Sequence, residues 1–140
     1  MAQAIITRKG GGSGSGEATI TFNNSSPTSM ISLKRQTATD LSQSRYGLAA
    51  TSVGNYALFG GGYSSSYLST VDAYDTSLTR TTPTRLSQGR QNLSATRNGD
   101  YAIFGGGYNG DSYLSTVDAY NTSLTRTTPT SLSQSRYCLA

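Results

Sequence analysis

Asp72 and Asp118, the arginines Arg45, Arg90 and Arg136, and two glycine triplets at 60–62 and 105–107 are the residues of this chain whose types could do chemistry. Two carboxylates could share acid and base duties, but such a pair needs environments that push its two pKa values apart. Asp72 and Asp118 lie in duplicate VDAY surroundings, which favours a repeated hydrogen-bond or salt-bridge role. An arginine fork can hold a ligand carboxylate or tie loop carbonyls together, and for Arg45 and Arg90 both uses stay open. The glycines follow apolar runs directly. They suit a ligand approaching bare backbone, or close packing where a Cβ would clash, and packing is favoured. Histidine is absent. Its absence removes the commonest metal ligand and general base together, and leaves no base to activate a serine. The chain is expected to be no enzyme and to carry no metal or cofactor.

These residues recur because the chain repeats. The stretch from Tyr56 to Arg90 returns from Tyr101 to Arg136 with few changes: Leu58 to Ile103, Asp75 to Asn121, Arg85 to Ser131, Gly89 to Ser135, and a longer loop, 109–112, for Ser64, Ser65 and Ser66. A partial register precedes both, with Leu33, Arg35, Leu41, Ser42, Gln43 and Arg45 standing 45 residues before Leu78, Arg80, Leu86, Ser87, Gln88 and Arg90. A period of 45 to 46 residues is that of a propeller blade, a four-stranded sheet that cannot bury both its faces alone. Alternation and turn residues place strand A at 46–53 and 91–97, B at 56–60 and 101–105, C at 69–74 and 115–120, and D at 78–82 and 124–128. Gly54-Asn55 and Asn98-Gly99 are the expected A to B hairpin turns, and Pro83 and Pro129 stop strand D.

Composition agrees with short strands and tight turns: 34% hydrophobic and only 13% charged, with 16 glycines and 10 tyrosines. The longest uncharged stretch, 46–71, is broken by glycine and serine, so no membrane-inserting helix is expected. The N-terminus lacks the apolar core of a secretory signal. Residues 1–16 end in GGGSGSG and read as a flexible leader; without the flanking strand, helix and Lys-Ser/Thr, these glycines are not a phosphate loop. Eleven basic against seven acidic residues give a modest +4. The basic residues are spread through the repeats, so nucleic acid is not an expected partner. The single cysteine, Cys138, cannot form an intrachain bridge. The expected organisation is a leader (1–16), a partial blade supplying strands C and D (17–45), full blades at 46–90 and 91–135, and the start of a third at 136–140.

The runs GGGYSSSYLSTVDAYDTS (60–77) and GGGYNGDSYLSTVDAYNTS (105–123) resemble the Kelch repeat. The resemblance rests on Gly60, Gly61, Tyr67, Asp72 and Tyr74 in the first copy, and on Gly105, Gly106, Tyr113, Asp118 and Tyr120 in the second. It covers about residues 33–140 and implies an all-β, Kelch-like β-propeller segment in which those ten residues are structural. The family's strand D tryptophan has no counterpart here. Some Kelch-like propellers are copper-radical oxidases using Tyr, Cys and His, a site that a histidine-free chain cannot build in its usual form. The near-identical repeats and the opening AIITRKGGG are similar to repetitive, tail-fibre-like proteins of Firmicutes and their prophages. That similarity implies a place in a virion or in a bacterial host, with an intracellular Kelch-type interaction scaffold as the alternative.

Differences between copies concentrate in the B to C and D to A connections, which emerge on one side of such a sheet. A fixed scaffold with one varied face suits recognition of a protein or glycan. Tyr63, Ser64, Ser65, Ser66, Tyr108, Asn109 and Asp111 in the B to C loops, Arg85 in a D to A loop, and Arg45 and Arg90 are the candidate binding residues. Two blades and two partial ones do not close a ring of four to eight. The chain is therefore expected either to belong to a longer propeller or to self-associate, three copies making a six-bladed ring.

Overall fold

A computed structural model describes residues 4–8, 18–22, 31–33 and 35–138 of the chain. It is all-β: among the described residues there is no helix, and the strands form antiparallel sheets. Two compact units divide at Thr37 and Ala38.

In the first unit β1 (Ala4–Arg8), β2 (Ala18–Phe22) and β3 (Ile31–Leu33) make a three-stranded sheet in that order. β1 corrects the expectation of a flexible leader over 1–16. Its Ile-Ile-Thr run carries the β-branched residues that favour extended backbone, and it pairs with β2 from Ala4 against Phe22 to Arg8 against Ala18. The linker assigned to the glycines that follow lies outside the described residues. The boundary of the expected partial blade also moves, since residues 38–45 pack with the second unit.

The second unit holds two four-stranded sheets built alike. The first runs β4 (Ala49–Val53), β5 (Tyr56–Gly60), β6 (Val71–Tyr74) and β7 (Arg80–Thr81). The second runs β8 (Ser94–Asn98), β9 (Tyr101–Gly105), β10 (Val117–Asn121) and β11 (Arg126–Thr127). The expected B strands agree with β5 and β9 to the residue. Strands A and D are shorter than expected, and the second hairpin turns at Gly99-Asp100 rather than Asn98-Gly99, because Asn98 pairs with Tyr101. In both hairpins only the glycine at the first central position takes positive φ (52° at Gly54, 56° at Gly99), as a type II′ turn requires.

Alternation in the B strands decides which face is covered. Leu58 and Gly60 of β5 face the second sheet, and Ala102 and Phe104 of β9 face back, so that Phe104 is fully buried over Gly60. A Cβ at Gly60 would stand 2.9 Å from the Phe104 ring, which is why glycine occupies this seat. Leu58, Ala73, Leu86, Leu93, Ala102, Phe104 and Tyr120 form one core between the sheets.

The C to D turns show that one copy difference is chemically silent. Asp75 Oδ1 accepts from the amides of Ser77 and Thr79, and Asn121 Oδ1 accepts from Ser123 and Thr125 in the same way. Leu78 and Leu124 take φ of 61° and 60° inside these side-chain-braced turns.

Candidate functional site

The acids and arginines singled out in the sequence meet in two duplicate buried clusters. Arg45 Nη2 lies 2.7 Å from Asp72 Oδ2 and also donates to the Phe59 carbonyl at 3.2 Å. Arg90 Nη2 lies 2.8 Å from Asp118 Oδ2 and donates to the Phe104 carbonyl at 3.4 Å. The amide and hydroxyl of Ser42 donate to Asp72, and those of Ser87 donate to Asp118. Arg126 Nη1 adds a second cation to Asp118 at 2.9 Å, where Arg80 stands 3.8 Å from Asp72. All four side chains of the two principal pairs are fully buried. Desolvation pulls Arg90 below the ordinary arginine value, opposed by the attraction of Asp118 and their hydrogen bond. Arg45 and Arg90 therefore leave the set of candidate ligand contacts. They lock the D to A segment ahead of each sheet onto strand C of that sheet, with Tyr74 and Tyr120 donating 2.7 Å bonds to the carbonyls of Thr39 and Thr84 alongside.

The loop side carries a different constellation. Six tyrosine rings run in unbroken contact across both sheets: Tyr46 to Tyr63 at 5.7 Å between centroids, Tyr63 to Tyr67 at 4.9 Å, Tyr67 to Tyr108 at 5.7 Å, Tyr108 to Tyr113 at 5.5 Å, and Tyr113 to Tyr137 stacked at 4.3 Å. Backbone bridges set the spacing, since Tyr63 pairs with both Tyr46 and Tyr67, and Tyr108 with Gln91 and Tyr113. The inserted residue of the longer loop joins the two halves: Gly110 lies so near Tyr67 that a Cβ would sit 2.7 Å from its ring. Tyr46, Tyr113 and Tyr137 are exposed by 65%, 51% and 47%, so the row is a surface and not a core.

Of the nominated binding residues, Tyr63 and Tyr108 stand in this row and Ser64, Ser65, Ser66 and Asp111 are exposed beside it. Asn109 is committed to its own loop, accepting from the amides of Asp111 and Ser112. Arg85 is exposed and makes no hydrogen bond or ion pair among the described residues. Tyr67 and Tyr113, assigned a structural part from the repeat pattern, belong to the row. Tyr46 and Tyr137 complete it and were not nominated. Their signal was present as aromatic residues at a position where the middle copy has Gln91. Among the described residues no three His, Cys, Asp or Glu side chains gather where a metal ion would need them.

The row has a pH consequence. Burial, then the neighbouring Tyr108, Tyr63 and Tyr46, raise the Tyr67 phenol above its ordinary value. Burial raises Tyr120, and the hydrogen bond with Tyr113 raises Tyr137. Phenols that hold their protons more tightly when folded contribute stability fully present below about pH 10, which falls as the unfolded chain ionises first above it. With no histidine, Tm is expected to stay level from about pH 6 to 9 and to drop beyond about 10. A thermal melt series that showed stability rising above that point would contradict the assignment.

A scan of the chain against protein-family models matches none, and a search of curated proteins matches none either.

Proposed function

We propose that the two sheets are consecutive blades of a Kelch-like β-propeller, and that the chain is a non-enzymatic binding module whose tyrosine row takes a neutral glycan chain. The observation that carries this reading is the row itself: six contiguous rings on one side of the unit, three of them about half exposed or more. Tyrosine offers a flat apolar face and a polar tip at small rotamer cost, which suits the apolar face of a sugar and its rim of hydroxyls. Ser64, Ser65, Ser66 and Asp111 border the row with the hydrogen-bonding groups such a rim needs. The blade assignment is supported by two four-stranded antiparallel sheets at the repeat period, with the Kelch-pattern aspartates buried on arginine. A place on a phage tail or bacterial surface fits a glycan-binding face of this kind.

The same row favours a second reading, a protein-interaction scaffold. Aromatic-lined surfaces also dock proline-rich segments, whose extended helix is preformed. A panel of immobilised oligosaccharides and proline-rich peptides separates the two. With Tyr46→Ala and Tyr113→Ala combined, glycan binding is expected to fall by about tenfold or more, while Tm stays nearly level because both residues are exposed. Unchanged glycan binding by a folded double variant would remove the row from the recognition surface. Capture of peptides and not of glycans would select the scaffold. Arg85→Ala in the same panel tests whether the charged D to A loop adds to the row.

A further inference from the structure

Each sheet of the second unit has one covered face and one open face, and the covered joint shows what fits the open ones. Inside the molecule the Phe104 ring, edge-on to Tyr120 at 5.9 Å and 87°, is seated on Gly60 and has no exposure. Phe59 occupies the place of Phe104 in the first sheet. It makes the same contact with Tyr74, at 5.8 Å and 90°, yet stands half-buried beside a pocket of about 330 Å³. Gly105 occupies the place of Gly60 in the second sheet. Where Gly60 meets a ring, the nearest atoms to a Cβ at Gly105 would be those of Leu132 at 3.7 Å or more and Val117 at 3.9 Å, and a pocket of about 640 Å³ opens over it between Ile103 and Val117. A knob lies at one end of the unit and its socket at the other. We infer that this chain associates head to tail with a second copy of itself, Phe59 of one copy seated on Gly105 of the next.

The segments that flank the sheets show the same incompleteness. Residues 83–90 are tied on both sides in the internal joint. Leu86 and Arg90 donate backbone bonds to the carbonyls of Ser69 and Leu68 in the first sheet's loop, while the Ser87 and Arg90 side chains hold Asp118 in the second sheet. Residues 129–136 make the first half of this pattern, with Leu132 and Arg136 donating to the carbonyls of Ser115 and Leu114, but the Arg136 side chain is exposed and meets no carboxylate among the described residues. Residues 38–45 make the second half, with Ser42 and Arg45 on Asp72. Both segments contain the same six residues, LSQSRY, at 41–46 and 132–137. In the internal joint a single segment, 83–90, serves both sheets, so a head-to-tail joint built the same way takes one of them. The one that stays can complete both halves of the pattern, and because the sequences are identical the Asp72 site is filled equally well by Arg45 or by Arg136 of the neighbour. The contact joins two different faces, so it propagates until a ring closes or a filament forms. It does not depend on what the tyrosine row binds.

Sedimentation velocity from low-micromolar to several hundred micromolar tests this on the full chain. The wild type is expected to gain mass with concentration. Phe59→Glu spoils the knob and Ile103→Glu the socket, each by placing a charge on an apolar face, and each variant alone is expected to remain monomeric. Mixed in equal amounts, they retain one working face each and are expected to form a heterodimer that grows no further. Where either glutamate variant lacks a cooperative thermal transition, the serine variant at that position replaces it. A wild type that stays monomeric throughout, single variants that associate as the wild type does, or a mixture of folded variants that yields no dimer would each overturn the inference.

Discussion

Asp118→Ala is expected to cost the second unit about 3–5 kcal/mol, the penalty of leaving a buried cation without its counter-charge. Arg90 is wholly enclosed, and its one carboxylate partner among the described residues is Asp118, at 2.8 Å. The Ser87 amide and hydroxyl lose their acceptor in the same step, and Arg126 is released toward solvent. Against the usual stability of a domain, about 5–15 kcal/mol, this is a large fraction, and Tm should fall by roughly 15 °C or more. Removing both charges with Asp118→Leu and Arg90→Met should recover most of the loss, because the desolvation cost leaves with the pair. Thermal and urea unfolding of the three proteins checks this. A loss below about 1 kcal/mol for Asp118→Ala, the size of an exposed pair, would mean that the cluster does not hold the segment onto the sheet.

Phe104→Ala and Phe59→Ala should differ sharply although the two residues are repeat equivalents. Phe104 fills the joint between the sheets with no exposed surface, so truncation is expected to cost about 3–5 kcal/mol in lost burial and cavity. Phe59 is half-buried on an open face, and in dilute solution its truncation should cost roughly half as much or less. Urea midpoints measured at low concentration read the difference. Equal losses would indicate that the face carrying Phe59 is covered even in the isolated chain. A Phe59→Ala penalty that grows with protein concentration is the expected mark of head-to-tail association.

The repeat made most of the fold legible. Tyr56–Gly60 and Tyr101–Gly105 could be bounded to the residue, because alternation on one side and glycine on the other mark both ends of those strands. Strands A and D were overextended in sequence because β-favouring residues continue past the last ladder pairs, Ala49 with Gly60 and Ala73 with Thr81. The hairpin at Gly99-Asp100 was displaced by one residue in favour of an Asn-Gly dipeptide, although the register of the first copy already located it at Gly54-Asn55. β1 was concealed by the glycine-rich run beside it, since composition describes a window and strand formation depends on a partner elsewhere.

Repetition, turn chemistry and the absence of histidine follow from the order of residues alone, because they are local or compositional properties. So does the duplication of Asp72 with Asp118 and of Arg45 with Arg90. Whether those arginines faced a ligand or a buried carboxylate was undecidable from spacing, since 27 and 28 residues separate each arginine from its aspartate and only the docking of the D to A segment brings them together. The tyrosine row was likewise invisible as a row. Its members come from D to A and B to C connections as far apart in sequence as Tyr46 and Tyr137, and their contact depends on the face-to-face packing of two sheets. Identical repeats prescribe identical sheets, but burial belongs to neighbours. That is why Phe104 is core and Phe59 only half-buried in residues the sequence makes equal.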